Sequence, residues 1–167
     1  MSFEQVFGCE SGVVGEVQAA LEALAADDLH GMFAPQLRER LVELLRLQNE
    51  IAAELTRTVR EAELTGVPEI DGLKSIRSWL RGHGHLSEAE AQRLVRSGRA
   101  LEHLPVVAAA FADGTVTAGQ VAVIAPVAEP GRVASAAEAG IDLDEIDAAL
   151  AATAVRAEHA TVRLAVG

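Results

Sequence analysis

Residues Asp71 to Ala128 read DGLKSIRSWLRGHGHLSEAEAQRLVRSGRALEHLPVVAAAFADGTVTAGQVAVIAPVA, and almost every break in this stretch is a helix boundary. Asp71-Gly72 is a turn signal, after which a short helix is predicted from about Leu73 to Arg81. His83-Gly84-His85 reads as a turn. Ser87 followed by Glu90 is a capping box, in which each residue satisfies an orphan amide of the other; it opens a helix to about His103. Pro105 suits the first turn of the next helix, because its missing N–H has no partner to lose there. Asp113-Gly114 ends that helix, and Thr117 with Gln120 is a second capping box for a helix to about Ala125.

Outward from this stretch the same periodicity holds. Pro126 and Pro130-Gly131 read as a loop, a short helix is expected near 132–139, and Asp142 with Glu145 starts a last helix to about Leu164. On the N-terminal side, Val14, Val17, Leu21, Leu24 and Ala25 share one face of a helix over 13–29. A long helix is predicted over 35–64, with Leu37, Leu41, Leu44, Gln48, Ile51, Leu55, Thr58 and Ala62 alternating four and three apart. Such a helix needs cover along its length, from helix 13–29 folded back on it or from a second copy of the chain. No strand pattern occurs. The expected fold is all-α: a helical hairpin or arm over 1–65, then a compact multi-helix bundle over 66–167.

Composition agrees. Half the residues are apolar, with four Phe, one Trp and no Tyr, so the core is Ala, Val and Leu, the composition of packed helices. The formal charge of −11 argues against a general nucleic-acid coat. Cys9 is the single cysteine and no basic leader opens the chain, which together predict a reducing, cytoplasmic setting. The apolar run Val106–Ala128 is interrupted by Asp113, Gly114, Thr115, Thr117 and Gln120, so it reads as two buried helices and not as a membrane span.

The ordered set Asp71, Gly72, Ser75, Trp79, Leu80, Leu86, Ser87, Ala91, Leu94, Leu101, Leu104, Pro105, Gly114, Thr117 and Gln120 resembles the domain of unknown function 222, also called the 13E12 repeat family. The resemblance covers most of the chain. It implies the N-terminal module of an actinobacterial HNH-endonuclease-type protein, linked to mobile elements. An HNH site needs histidines and an asparagine on a metal-binding ββα scaffold. After residue 128 only His159 remains, with no asparagine, so the nuclease domain is expected to be absent and the chain is expected not to be an enzyme. The expected role is an interaction and targeting module. The alternatives are a weak DNA-binding domain with a helix-turn-helix-like basic face, and a structural module that dimerises through the helix at 35–64. The expected partners follow: DNA, a C-terminal HNH nuclease domain in the parent protein, or a second copy, and no membrane.

The DNA reading has named residues. Arg93, Arg96 and Arg99 lie opposite the apolar side of helix 87–103, and Lys74, Arg77 and Arg81 lie on the preceding short helix. Residues 71–105 carry six basic and four acidic side chains, +2 in a chain that is −13 elsewhere. The plainer reading is a solvated face whose arginines pair with Glu88, Glu90 and Glu102. Glu88 and Glu90 sit at the helix N-terminus, where base contacts usually arise, which weighs against DNA. Trp79 is read as a core anchor before a stacking platform, with Leu94, Leu101, Leu104 and Val121 beside it. His83 and His85 lack the further ligands of a metal set, and the acidic groups Asp27-Asp28 and Asp142/Asp144/Glu145 read as solvated helix ends; no cofactor is expected.

Overall fold

The computed structural model describes residues 11–156. The described residues are helical throughout, with no strand, and no helix among them is long and apolar enough to cross a membrane. The chain divides into two compact units, Met1–Val42 and Glu43–Gly167, so the division falls inside a continuous helix.

In the first unit α1 (Ser11–Ala25) is followed by a 3-10 turn at Leu29–Gly31 and the start of α2 (Ala34–Leu64). The expected helix over 13–29 stops earlier, because Asp28 turns its carboxylate onto the His30 amide at 3.0 Å and caps the 3-10 turn instead. Arg40 closes the hairpin: its guanidinium donates to the Leu24 carbonyl at 2.7 Å and pairs with Asp27, satisfying the C-terminal end of α1.

The second unit holds the rest of α2, then α3 (Val67–Ile70), α4 (Ile76–Gly82), α5 (Glu88–Leu101), α6 (Pro105–Ala112), α7 (Ala118–Ile124), α8 (Pro130–Glu138) and α9 (Leu143–Arg156). Both capping boxes form, Ser87 with Glu90 and Thr117 with Gln120. Pro105 opens α6 as expected. Two local expectations are corrected. The helix near Leu73 starts at Ile76, since Ser75 takes the N-cap by accepting from the Ser78 amide. Pro126 and Pro130 sit in first turns, of a 3-10 segment at Ala125–Ala128 and of α8, where sequence suggested a loop. The last helix is described to Arg156; its expected continuation to Leu164 lies outside the described residues.

The core is two clusters where one was expected. Leu104, Val107, Phe111, Val116, Val121, Ile124 and Leu150 form the larger, with Leu101 packed against it. Val59, Ile76, Leu80, Ala91 and Val95 form the other, with Trp79 and Leu94 half-buried at its edge. Trp79 is therefore an edge contact and not the central anchor. Its indole N–H donates to Asp71 at 2.7 Å and its ring stacks on His83, 4.9 Å between centroids.

Two features lock α2 and α9 onto this core. Gly114, at φ +78°, lets α2 approach closely: a Cβ there would lie 2.7 Å from Arg46 Cγ and 2.8 Å from the Arg46 carbonyl oxygen. Asp147 on α9 is fully buried, and its two carboxylate oxygens accept from the Val106 and Val107 amides at 2.7 and 3.0 Å. Leu104, the N-cap residue of α6, has no side chain able to cap, so a carboxylate from a distant helix takes that role. Asp147→Ala leaves two amides unmatched, one of them buried, and should cost about 2–4 kcal/mol in urea unfolding. A loss below about 0.5 kcal/mol would show that the contact does not hold α9 to α6.

Candidate functional site

The six expected basic residues do not form one surface. Arg77, Arg96 and Arg99 line a cleft of about 1030 Å³, together with Arg60, Glu63, Glu102, His103 and Glu129. Its floor is apolar, with Ile76, Val95, Ala100, Ala125 and Ala128. Arg93 lines a different, more apolar depression with Leu55, Leu86, Leu94 and Val123. Lys74 and Arg81 line neither.

All six side chains reach solvent, Arg77 and Arg81 from α4, Arg93, Arg96 and Arg99 from α5 and Lys74 from just before α4, but four are held by carboxylates. Glu88 pairs with Arg81 at 3.0 Å and with Arg77 at 3.6 Å. Arg96 pairs with Glu129, and Arg99 with Glu63. The partners of Arg96 and Arg99 differ from those expected, while Arg93 acts on Glu90 through its charge alone. Glu88 looks back to α4, Glu90 is spent on the Ser87 cap, and Glu102 holds Arg60 through two hydrogen bonds at 2.8 and 2.9 Å. Lys74 and Arg93 make no ion pair or hydrogen bond among the described residues.

Sequence reasoning missed Arg60, Glu63 and Glu129, because residues 33 to 42 positions apart in the chain meet only once the bundle forms. The one available signal was Gly98, where a Cβ would lie 3.3 Å from the Thr56 carbonyl oxygen, so its missing side chain lets α5 cross α2 closely beside the Arg99–Glu63 pair. Glu63 is the most enclosed carboxylate of the set. The hydrogen bond from Arg99 first, with a further one from Arg60, holds its pKa below the ordinary glutamate value against the opposing effect of burial. Arg60 likewise holds Glu102 low.

His83 and His85 stand on an exposed turn, and the described residues contain no group of three or more His, Cys, Asp or Glu that could hold a metal. Asp142 and Asp144 serve the start of α9, where the Asp142 carboxylate accepts from the Asp144 amide at 2.9 Å.

The profile of a family described as a domain of unknown function (DUF222) matches residues 36–166. The chain belongs to DUF222. No curated protein and no solved structure matches it. In this DUF222 chain the residues of the ordered motif have visible structural tasks. Asp71 receives the Trp79 N–H, and Ser75, Ser87 and Thr117 cap helices. Leu80 and Leu104 are buried, and Pro105 starts α6. Gly114 takes the close approach of α2, with its carbonyl accepting from Asn49 at 3.1 Å. Gln120 bonds the Thr117 amide and also donates to the Ala154 carbonyl of α9 at 2.8 Å. The motif describes the scaffold.

The depressed pKa of Glu63 sets a pH dependence. A carboxylate whose folded pKa lies below its unfolded one stabilises fully above the unfolded value, about 4.3, and that stability is lost as pH falls through the folded value. Glu63→Gln should cost about 1–2 kcal/mol at neutral pH. The gap from the wild type should close in urea unfolding as pH falls below about 4.3. A gap that stays constant as pH falls would mean that the charge of Glu63 contributes nothing to folding.

Proposed function

We propose that this DUF222 chain is a non-catalytic helical interaction module, and that it serves to target or hold an HNH-endonuclease-type protein. The observation that carries the first part is the two-sidedness of α2. One side is committed to the bundle: Asn49, Thr56, Val59 and Arg60 meet α5 and the α6–α7 turn. Beside it the helix exposes Ile51 by 52% and Leu55 by 50%, and Leu45, two turns before Ala52 in the covered row, is exposed by 59%. A row of exposed leucine and isoleucine on one helix face is a docking surface in water, since apolar patches on soluble chains mark interaction sites. The second part rests on the motif from Asp71 to Gln120 and on the nuclease partnership that this resemblance implies.

A second reading, a weak DNA-binding domain, draws on the arginine-rimmed cleft and on Lys74 and Arg93, which make no ion pair or hydrogen bond among the described residues. The interaction reading is favoured because Glu88, Glu129 and Glu63 already neutralise Arg77, Arg81, Arg96 and Arg99. The overall charge of −11 also repels a polyanion at long range.

Gel shifts with duplex DNA across a salt series separate the two readings, and incubation with Mg²⁺, Mn²⁺ or Zn²⁺ tests for cleavage. The interaction module gives no measurable shift at about 50 mM salt and no cleavage. Binding with a steep salt slope that flattens in the Arg77/Arg96/Arg99→Ala variant would move the assignment to DNA binding. Cleavage that persists through purification would overturn the non-catalytic reading.

A further inference from the structure

We infer that the depression between α2, α5 and α7 is a binding site for a small aliphatic carboxylate, an unbranched acid of medium length whose head is held by Arg93 and Ser97. This goes beyond the interaction-module reading and does not depend on it. The depression has a volume of about 830 Å³, and all its lining residues belong to the second unit. Buried Phe111 and Val121 form its floor, and Leu55, Leu94 and Val123 stand around them. A concave, mostly apolar site with a few polar groups is the ordinary form of a small-molecule site.

Ser97 is the group that calls for a ligand. The residue is only 6% exposed, lines the depression and makes no side-chain hydrogen bond among the described residues. Every fully buried side-chain nitrogen or oxygen described has a partner, so the Ser97 hydroxyl itself opens on the depression. A recessed hydroxyl with no protein partner is matched only by what enters from outside, since a polar group left dry and unpaired is costly. Arg93 stands one turn earlier on the same face of α5, and it makes no ion pair or hydrogen bond among the described residues.

Together the two residues offer an O–H and a guanidinium fork, donors that match the two oxygens of one carboxylate. One guanidinium balances one negative charge, which favours a carboxylate over a doubly charged phosphate. The recess favours a slender ligand. A terminal carboxylate on an unbranched chain reaches Ser97, whereas a helix of a partner protein is stopped at the rim by exposed Leu55 and Arg93. Glu90 sets the direction. It lines the same depression, and its carboxylate accepts from the Ser87 amide and hydroxyl at 2.9 and 2.5 Å. Its charge repels the head of the ligand from that end and leaves the Ser97 end. The chain then runs from Ser97 past Leu94 toward Leu86. Glu90 and Ser97 are seven residues apart, about 10 Å of helix, which sets the length of chain that fits.

Calorimetric titration of the full chain with sodium decanoate, below its micelle concentration, tests this. One decanoate should bind with a Kd below about 1 mM and shift the backbone amide resonances of Leu94, Ser97 and Val123. Arg93→Gln and Ser97→Ala should each weaken binding about ten-fold with unchanged circular dichroism, and decan-1-ol should bind the wild type about ten-fold more weakly than decanoate. Glu90→Gln, which keeps the capping box, should tighten decanoate about three-fold. No saturable binding, equal binding of decan-1-ol, or an affinity that Arg93→Gln and Ser97→Ala leave unchanged overturns the proposal. A Glu90→Gln variant that binds no tighter overturns the orientation. A synthetic amphipathic peptide bearing a glutamate that shifts these amides where decanoate shifts none overturns the proposal too, and makes the depression part of a protein interface.

Discussion

The close approach between α2 and the rest of the bundle is the constraint on which the second unit depends. Two glycines permit it. At Gly114 a side chain would collide with the backbone of α2, and at Gly98 it would press on Thr56 and Arg60. With both in place, α2 lies near enough for Asn49 to reach the Gly114 carbonyl, for Val59 to join the smaller core cluster, and for Arg60 to reach Glu102. Choosing this face leaves the adjacent face of α2 outside. The leucines and isoleucine there are exposed because the helix can bury only one side against α5 and α6, and a 3.6-residue repeat carries the other away.

The second constraint is the matching of polar groups inside an aromatic-poor core. Ala and Val pack α6, α7 and α9 closely, and close packing leaves helix ends with little water. Asp147 supplies the α6 amides and Gln120 supplies a carbonyl of α9, so each polar side chain that is buried there is used by a neighbouring helix. Among the described residues no buried side-chain nitrogen or oxygen lacks a partner. The motif of DUF222, in this chain, is largely a record of these caps and close approaches, which is why recognising the family identifies the fold more directly than a reaction.

Much of this was legible in the sequence because it is local. The two capping boxes, Pro105 at the start of α6, the turn at Gly114 and the span of α2 follow from spacing over four residues or from helical period, and local chemistry decides them. The long-range partners were not legible. Arg96 and Arg99 were expected to find carboxylates on their own helix or its flanks, and they find Glu129 and Glu63 instead. Helix crossing sets those pairs, and periodicity says nothing about crossing. The heptad reading of α2 shows the same limit. It placed Leu41, Gln48, Ile51 and Leu55 on the covered seam, whereas the bundle takes the face one position further on, through Asn49, Thr56 and Val59.

The central claim is that α2 has one face that folds the chain and another that does not. Urea unfolding of Gly114→Ala and Ile51→Ser, compared with the wild type at high dilution, tests it most directly. The account predicts a loss above about 2 kcal/mol for Gly114→Ala, from backbone collision and a strained positive φ, and below about 0.5 kcal/mol for Ile51→Ser. If Ile51→Ser costs as much as Gly114→Ala, the stripe is already part of the folded core, and α2 has no free face to offer.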